Sequence, residues 1–322
     1  MQRPEKQTRV SAVAVIVAKA TQLTIYDGDN PDLPMWMVFT SGDAGGYTGP
    51  HLNIAQGSRL SAVAALNGEI VVTCNSGSYP FGSVQINFLK DRSLIRPDVG
   101  GKLSITSIAK RNVTGSYNAN YAYTALVNKF ANDVAMTVLP TAPIDSATGL
   151  PIPTIAVATD GGVSVIKDDG TVVDLTTSQS GYKNCEFVDL VGDEVLLSFE
   201  SPGITQNARR FWINNIPSSD NTVTSSVIAQ GNANEFYKDY NPSFSGNALN
   251  YHIYPNYKTT NNVLLTSNDL YLGLNENLAI INRNKNSDGG KDGMLCGITT
   301  SFNTGYMHGD IKGAFLSDTD TT

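Results

Sequence analysis

Residues 154–176, TIAVATDGGVSVIKDDGTVVDLT, contain three short segments in which β-branched residues alternate with small or polar ones, as Ile155, Val157 and Thr159 do in the first segment. Asp160-Gly161 and Asp169-Gly170 separate these segments. An Asp-Gly pair flanked by alternating residues is a strong local signal for a β-hairpin. Three strands folded in this way leave an apolar face uncovered, so the unit needs neighbours of the same kind.

Similar patterns of strand, turn and strand recur at residues 66–74, 191–199 and 268–281, and in the pair QLTIYD and MWMVF near the start. Their middle strands centre near residues 37, 72, 157, 197 and 272. The gaps are close to one or two multiples of about 40 residues, the size of one blade of a β-propeller. The weaker segments SITSIAKR and TVTSSVIA lie near the two unfilled places, around residues 115 and 235, and are candidates for the outer strands of degenerate blades.

We therefore predict an all-β fold, a β-propeller of short antiparallel strands with seven blades. Five or six blades, or an irregular β-sandwich, are the alternatives. The expected propeller spans residues 1–312, and residues 313–322 form a polar linker or the start of a further region. Charged residues make up only 16% of the chain, and no run shows sustained helical periodicity, which agrees with this prediction.

The overall charge of the chain limits its partners. The formal net charge is −7 and the isoelectric point is about 4.9. No basic stripe is present to replace the counterions of phosphates, so we expect no nucleic-acid partner. No apolar stretch approaches the roughly 20 residues that span a bilayer, so we expect no membrane insertion.

Residues 1–20 have two interpretations. A basic start, a short apolar run and Ala18-Lys19-Ala20 resemble a secretory signal that would leave a mature terminus at Thr21. The same valines and alanines alternate as in a β-strand, and we favour a strand or arm that belongs to the propeller.

The three cysteines, Cys74, Cys185 and Cys296, are widely spaced and lie in or beside apolar segments. We predict that they are small buried residues, with one disulfide and a leftover thiol as the alternative.

Four segments carry a resemblance to a known family. They are YDGDNPDLPMWMVF (residues 26–39), LSAVAALNGEIVV (60–72), residues 132–174, and NTGYMHGDIKGAFLSDTDTT (303–322). They resemble the propeller region of structural proteins from the virions of tailed phages, many from marine metagenomes. The resemblance implies a tail or tail-fibre component exposed on the virion, often followed by a concanavalin-like module. It also implies other tail proteins as partners, a homo-oligomeric assembly, and contact with a host surface glycan or receptor.

One acidic segment offers oxygen ligands of the kind that calcium prefers. In DGDNPD, the carboxylates of Asp27, Asp29 and Asp32 lie close together in sequence. Pro31 interrupts the series, and turns rich in Asp and Asn are ordinary between strands. We expect a plain turn and no cofactor, with a calcium site as the alternative.

Two segments rich in Tyr and Asn are the candidates for recognition, residues 117–128 and 235–258. Aromatic faces combined with amides suit protein interfaces and sugar rings equally, and loops packed over the blades are the third interpretation. The candidate residues are Tyr117, Tyr121, Tyr123, Tyr240, Tyr251, Tyr254 and Tyr257.

Catalysis is not expected, because the three histidines are dispersed and no nucleophile motif accompanies them. The functional prediction is a non-catalytic virion protein, a rigid platform for tail assembly and host attachment. The alternative is a secreted bacterial propeller that binds or degrades glycans, favoured by the signal-like start and the acidic charge.

Overall fold

The computed structural model describes residues 13–19, 22–40, 59–76, 81–98, 102–104, 107–112, 124–146, 148–177, 183–200, 209–223, 237–240, 249–252, 260–274, 277–282 and 295–299. Within these ranges the regular structure is β-strand, apart from one 3-10 turn at Ile108–Lys110. No helix in this part of the chain is long and apolar enough to cross a membrane.

Sheet one contains three antiparallel strands, β1 (Ala14–Lys19), β2 (Gln22–Asp27) and β3 (Met35–Thr40). The pairing of β1 with β2 runs from Ala14 opposite Asp27 to Lys19 opposite Gln22. The prediction of a strand in the apolar N-terminal run is therefore confirmed for Ala14–Lys19.

Sheet two is a meander in chain order. Its strands are β4 (Arg59–Leu66), β5 (Glu69–Ser76), β6 (Gly82–Asn87), β7 (Arg92–Arg96) and β8 (Lys102–Ser104). The turn between β4 and β5 is Asn67-Gly68, with φ values of 50° and 74°. Two consecutive left-handed residues are what a two-residue hairpin requires, and Asn-Gly supplies them at low cost.

Sheet three is built mainly from the segment that opened the sequence analysis. Its strands are β9 (Ala131–Thr137), β10 (Thr154–Thr159), β11 (Gly162–Ile166) and β12 (Val172–Thr177), again antiparallel and in chain order. Both predicted Asp-Gly turns are confirmed, since they connect β10 to β11 and β11 to β12.

Sheet four begins with β13 (Cys185–Val191), β14 (Glu194–Glu200) and β15 (Arg209–Asn215). The chain then returns to sheet three, where β16 (Asn221–Val223) pairs in parallel with the outer edge of β12. Sheet four is completed by β17 (Tyr237–Tyr240) and β18 (Leu249–His252), in the order β13-β14-β15-β18-β17. Sheet five contains β19 (Thr260–Leu265), β20 (Asp269–Leu274), β21 (Asn277–Asn282) and β22 (Leu295–Thr299).

The first strands of successive sheets lie side by side: β1 contacts β4, β4 contacts β9, β9 contacts β13 and β13 contacts β19. Each sheet runs outward from its first strand and packs face to face on the next. Alternate residues of a middle strand therefore face opposite neighbours. In β10, Ile155 and Val157 pack towards sheet two, whereas Ala156 and Ala158 pack towards sheet four. This arrangement is a β-propeller, and the predicted fold class is confirmed.

The predicted number of seven blades stays a prediction. The residues described by the structure form five sheets. The interpretation of SITSIAKR as an outer strand is wrong for its second half, since Ile108–Lys110 forms a 3-10 turn whose first amide donates to Asp91 Oδ1 at 2.7 Å. Around residue 235, β17 and β18 join sheet four rather than forming a sheet of their own.

Two aspartates connect the innermost strands of neighbouring sheets in the same way. Asp133 on β9 accepts a hydrogen bond at Oδ1 from the next amide and one at Oδ2 from Val188 of β13, at 3.1 Å. Asp189 on β13 repeats this arrangement and accepts at Oδ2 from Leu265 of β19, at 2.7 Å. Burial raises the pKa of Asp133 to about 6 and also raises the pKa of Asp189.

Candidate functional site

A group of exposed apolar side chains lies at the start of β3 in sheet one, in the turn between β6 and β7 of sheet two, and in the segment between β9 and β10 of sheet three. We call it the apolar strip. Its six members are each between 39% and 60% exposed: Leu33, Met35, Trp36, Leu89, Ile144 and Leu150. Single exposed apolar residues are normal on proteins, whereas a contiguous group marks a surface for interaction.

Trp36 occupies the strip because β3 carries a β-bulge at this point. Ile25 pairs with Met37 and Tyr26 pairs with Met35, so Trp36 has no partner residue on β2. A bulge re-aims side chains, and here the consecutive residues Met35 and Trp36 are both exposed. The indole stacks on Phe88 of sheet two with ring centroids 6.1 Å apart, so Trp36 also lies across the junction between the first two sheets.

The strip continues from sheet two to the hairpin of residues 144–151, which precedes β10. Leu89 follows Phe88 in the turn between β6 and β7, and it lines a small surface cavity together with Leu150. In the hairpin, Ile144 pairs with Pro151 through a β-bridge. The strip therefore extends over parts of three sheets.

Polar contacts hold the hairpin against sheet two. The ammonium of Lys90 lies 2.7 Å from Asp145 Oδ2, and the Asn67 side-chain amide donates to the Pro151 carbonyl at 2.8 Å. A side chain from the 3-10 turn that follows sheet two holds sheet one in a similar way, since Arg111 Nε donates to the Val38 carbonyl at 2.7 Å. Little conformational freedom remains to be lost when a partner covers such a surface.

In the acidic turn that suggested calcium, two side-chain oxygens accept hydrogen bonds from backbone amides of the same turn. Asp27 is 6% exposed, and its Oδ1 accepts a hydrogen bond from the Asp29 amide at 3.0 Å. Asn30 Oδ1 accepts from the Asp32 amide, also at 3.0 Å. These are Asx turns, which occupy oxygens that a cation would need. Across the described ranges, no three His, Cys, Asp or Glu side chains are grouped so that they could hold a metal ion.

The Tyr-rich candidates lie mostly outside the described residues, as is the case for Tyr117, Tyr121, Tyr123, Tyr254 and Tyr257. Tyr240 ends β17 and Tyr251 lies in β18, so the backbone at both positions belongs to sheet four. The three interpretations of these residues stay predictions.

Two of the three cysteines are buried, Cys74 in sheet two and Cys185 in sheet four. The Cys185 thiol donates to the Phe187 carbonyl at 3.3 Å, and burial raises its pKa well above the usual range. Cys296 lies in β22. The prediction of small buried residues is thus confirmed for Cys74 and Cys185.

The chain matches no model of a protein family, and no curated protein matches it. Three similar solved structures have TM-scores of 0.40 or less. Kluyveromyces lactis Hsv2 has a TM-score of 0.40 and 10% identity, over 88% of this chain and 71% of that chain. BBS1N in complex with ARL6DN has a TM-score of 0.35 and 12% identity, over 89% and 72%.

The third is the extracellular domain of the putative one component system BT4673 from B. thetaiotaomicron. It has a TM-score of 0.28 and 9% identity, over 88% of this chain and 50% of that chain. At these values the assignment of the fold rests on the sheets described above.

Proposed function

We propose that this chain is a non-catalytic structural protein of a tailed-phage virion, a rigid propeller that contacts a neighbouring tail protein through the apolar strip. The observation that carries the contact is the exposure of Met35 and Trp36 beside each other on a bulged strand. The assignment to a virion is supported by the resemblance of four long segments to such proteins.

The composition of the strip suits a protein partner. Trp and Met are enriched in the cores of protein interfaces, and buried Trp residues often carry most of the binding energy. The strip is flanked by polar and charged residues, among them the paired Lys90 and Asp145. An apolar centre with a polar rim is the usual anatomy of a specific interface.

Mass spectrometry of purified phage particles tests the assignment to a virion. The particles are prepared from the source that encodes the chain, and peptides of the chain are sought together with capsid and tail proteins. We expect the chain in the particle at a fixed ratio to the capsid protein. Its detection only as a free protein beginning at Thr21 would replace the proposal with a secreted glycan-active propeller.

A variant tests the role of the strip. The double substitution Met35→Ser and Trp36→Ser removes the two central members, whereas Leu264→Ser removes an apolar residue that is 54% exposed on sheet five. Tagged chains are produced in the infected host, and the amount per particle is measured. We expect the double variant to be depleted at least tenfold and the Leu264 control to be retained. Equal incorporation of all three chains would contradict the proposed contact.

Attachment to the host is the second part of the proposal and involves the Tyr-rich segments. Many copies on one particle raise the effective concentration of each site, so weak individual contacts suffice for adhesion. Changing Tyr254 and Tyr257 to Ala should reduce adsorption while particles still assemble. Unchanged adsorption would remove these residues from the attachment surface.

A further inference from the structure

A cleft of about 180 Å³ lies between sheets two and three. One wall is formed by strands β5, β6 and β7, and the other by the start of β10 and the turn between β11 and β12. Its volume is equivalent to about six water molecules at about 30 Å³ each, below the size of typical drug-binding pockets. The cleft therefore has room for one small molecule.

The polar wall of the cleft comes from one face of sheet two. Glu69, Asn87 and Arg92 lie directly opposite one another on three adjacent strands. Gln85 and Leu94 form the next row on the same face, because alternate residues of a strand share a face. The pairing of the strands thus collects a carboxylate, two carboxamides and a guanidinium at one place.

Several of these polar groups have hydrogen-bonding capacity that the described residues do not use. Gln85 is 7% exposed, and its Oε1 accepts from Arg96 Nε at 2.9 Å, while its amide nitrogen donates to no described group. The Arg92 guanidinium makes no hydrogen bond or ion pair with the described residues. From the residues that the structure describes, the Glu69 carboxylate receives one long hydrogen bond of 3.5 Å, from the Asn87 side-chain amide. The side-chain nitrogens of Gln85 and Arg92 are therefore available to donate to a ligand oxygen in the cleft.

Burial raises the pKa of Glu69, although Lys90, Arg92 and Arg96 act in the opposite direction. The side chain itself is half-buried in the wall of the cleft.

The opposite wall is mostly apolar. Ile152, Pro153, Ile155 and Ile166 face the polar row, and Leu94 lies within that row. A ligand in the cleft therefore needs carbon atoms on one side and polar atoms on the other.

The charges of the lining residues set the charge of the ligand. Four cations, Lys90, Arg92, Arg96 and Lys167, line the cleft together with the carboxylates Glu69 and Asp168. Lys90 is already paired with Asp145. One positive charge is left in excess, which a single anionic group would balance.

We propose that this cleft binds a small hydroxylated monocarboxylate, of the size of a single sugar acid. The carboxylate pairs with the Arg92 guanidinium, one hydroxyl oxygen accepts from the Gln85 amide, and another hydroxyl donates to Glu69. The carbon skeleton lies against Leu94 and Pro153. This site stands on the cleft alone and is independent of the virion assignment.

Other small ligands fit these walls less well. A neutral sugar leaves the excess positive charge unbalanced, and inorganic phosphate offers no carbon to the apolar wall. At neutral pH inorganic phosphate is a mixture of the monoanion and the dianion, so it does not match a single excess positive charge. Acetate matches the charge but has no hydroxyl for Gln85 or Glu69.

Isothermal titration calorimetry with sodium glucuronate tests the proposal at constant ionic strength. Glucose, acetate and inorganic phosphate serve as comparison ligands. We expect glucuronate to bind at least tenfold more tightly than each of them. The absence of glucuronate binding up to about 10 mM, or equal binding of glucose, would overturn the proposal.

Three substitutions locate the binding. Arg92→Gln should weaken glucuronate binding at least tenfold, and Arg59→Gln, at an exposed arginine near the other end of the same sheet, should leave it unchanged. Ile152→Trp fills the cleft from the opposite wall and should also abolish binding, which keeps the test decisive where one variant fails to fold. Tight binding by a folded Arg92→Gln or Ile152→Trp chain overturns the proposal.

A short oligomer of glucuronic acid distinguishes two sources of the same chemistry. Binding of the monomer alone supports a free sugar acid as the ligand. Equal binding of monomer and oligomer supports recognition of one residue within an acidic polysaccharide.

Discussion

Sheets three and one arise from similar alternating sequences, but their burial differs sharply. Every residue of β10 and β11 in sheet three is buried, since sheet two covers one face and sheet four the other. In sheet one, Leu23, Ile25 and Phe39 are buried towards sheet two, whereas β1 has exposed residues at both ends. The alternation of residues predicts a strand, but the neighbouring sheets decide which of its faces become core.

The largest difference in stability is expected between two variants that place the same charge in sheet three or in sheet one. Val157 is fully buried in β10, whereas Val15 in β1 is 38% exposed. Val157→Asp places an unpaired carboxylate between two sheets and should lower the free energy of unfolding by more than about 4 kcal/mol. Val15→Asp should change it by less than about 1 kcal/mol. Urea unfolding followed by circular dichroism measures both, and similar losses would remove the distinction between the sheets.

A second pair of substitutions separates crowding from backbone strain within sheet three. Gly162 has φ of 131°, and an added Cβ would lie 2.3 Å from the Leu175 carbonyl oxygen, whereas Gly170 has φ of 85° and open space around it. Gly162→Ala should cost about 3 kcal/mol or more, since backbone of β12 must move. Gly170→Ala should cost about 1 kcal/mol, the price of a left-handed alanine.

Equal thermal stability of the two alanine variants would contradict this prediction. It would mean that β12 moves freely away from β11, although β16 holds its outer edge through parallel pairing.

The junction between sheets three and four should weaken as the pH rises. The pKa of Asp133 is raised from 3.8 to about 6 by burial between β9 and β13. Below pH 3.8 the carboxyl is protonated in both states, and its contribution to stability is fully present. Between 3.8 and about 6 the unfolded chain loses its proton first, so this contribution is lost by neutral pH. A pKa shift of this size corresponds to about 3 kcal/mol of unfolding free energy. Because the carboxyl group is partly hydrated, we expect a loss of about 2 kcal/mol.

Asp133→Asn provides the matched control, since it cannot titrate. Asparagine loses one of the two amide hydrogen bonds, so the absolute stability is not informative. The informative quantity is the difference in unfolding free energy between pH 4 and pH 7, which should be about 2 kcal/mol smaller in the variant. An identical pH dependence in both chains would show that Asp133 is hydrated in the folded state.

Features set by local turn chemistry could be predicted from the sequence. Asn67-Gly68, Asp160-Gly161 and Asp169-Gly170 fall in hairpin turns as expected, because their conformations depend on a few adjacent residues. The strand Ala14–Lys19 could also be predicted from local sequence, because its valines and alanines alternate. The sequence SITSIAKR misled because Ser107 accepts a hydrogen bond from the Ala109 amide and Asp91 caps the same turn, contacts that the alternation does not reveal.

Features that depend on distant pairing could not be predicted. The parallel pairing of β16 with β12 joins Leu175 to Asn221, although three strands of sheet four lie between them in the chain. The apolar strip needs the bulge at Trp36 and the placement of three sheets. MWMVF nevertheless carried a signal, since consecutive large apolar residues after a proline are unusual in a strand with one covered face. The polar row of the cleft also needs the register of β5, β6 and β7.

The smallest effect on stability is expected at the surface that the proposed partner covers. Trp36 and Phe39 lie in the same strand, but Trp36 is 44% exposed and Phe39 is fully buried. Trp36→Ser loses a half-exposed ring and its stacking on Phe88, which together should cost about 1 kcal/mol. Phe39→Ala should cost about 3 to 5 kcal/mol, because it opens a cavity between sheets one and two. A large loss of stability in Trp36→Ser would mean that this ring supports the core, and depletion of the variant from particles would then reflect unfolding. A small loss combined with depletion identifies an interface, because only binding to the partner has been removed.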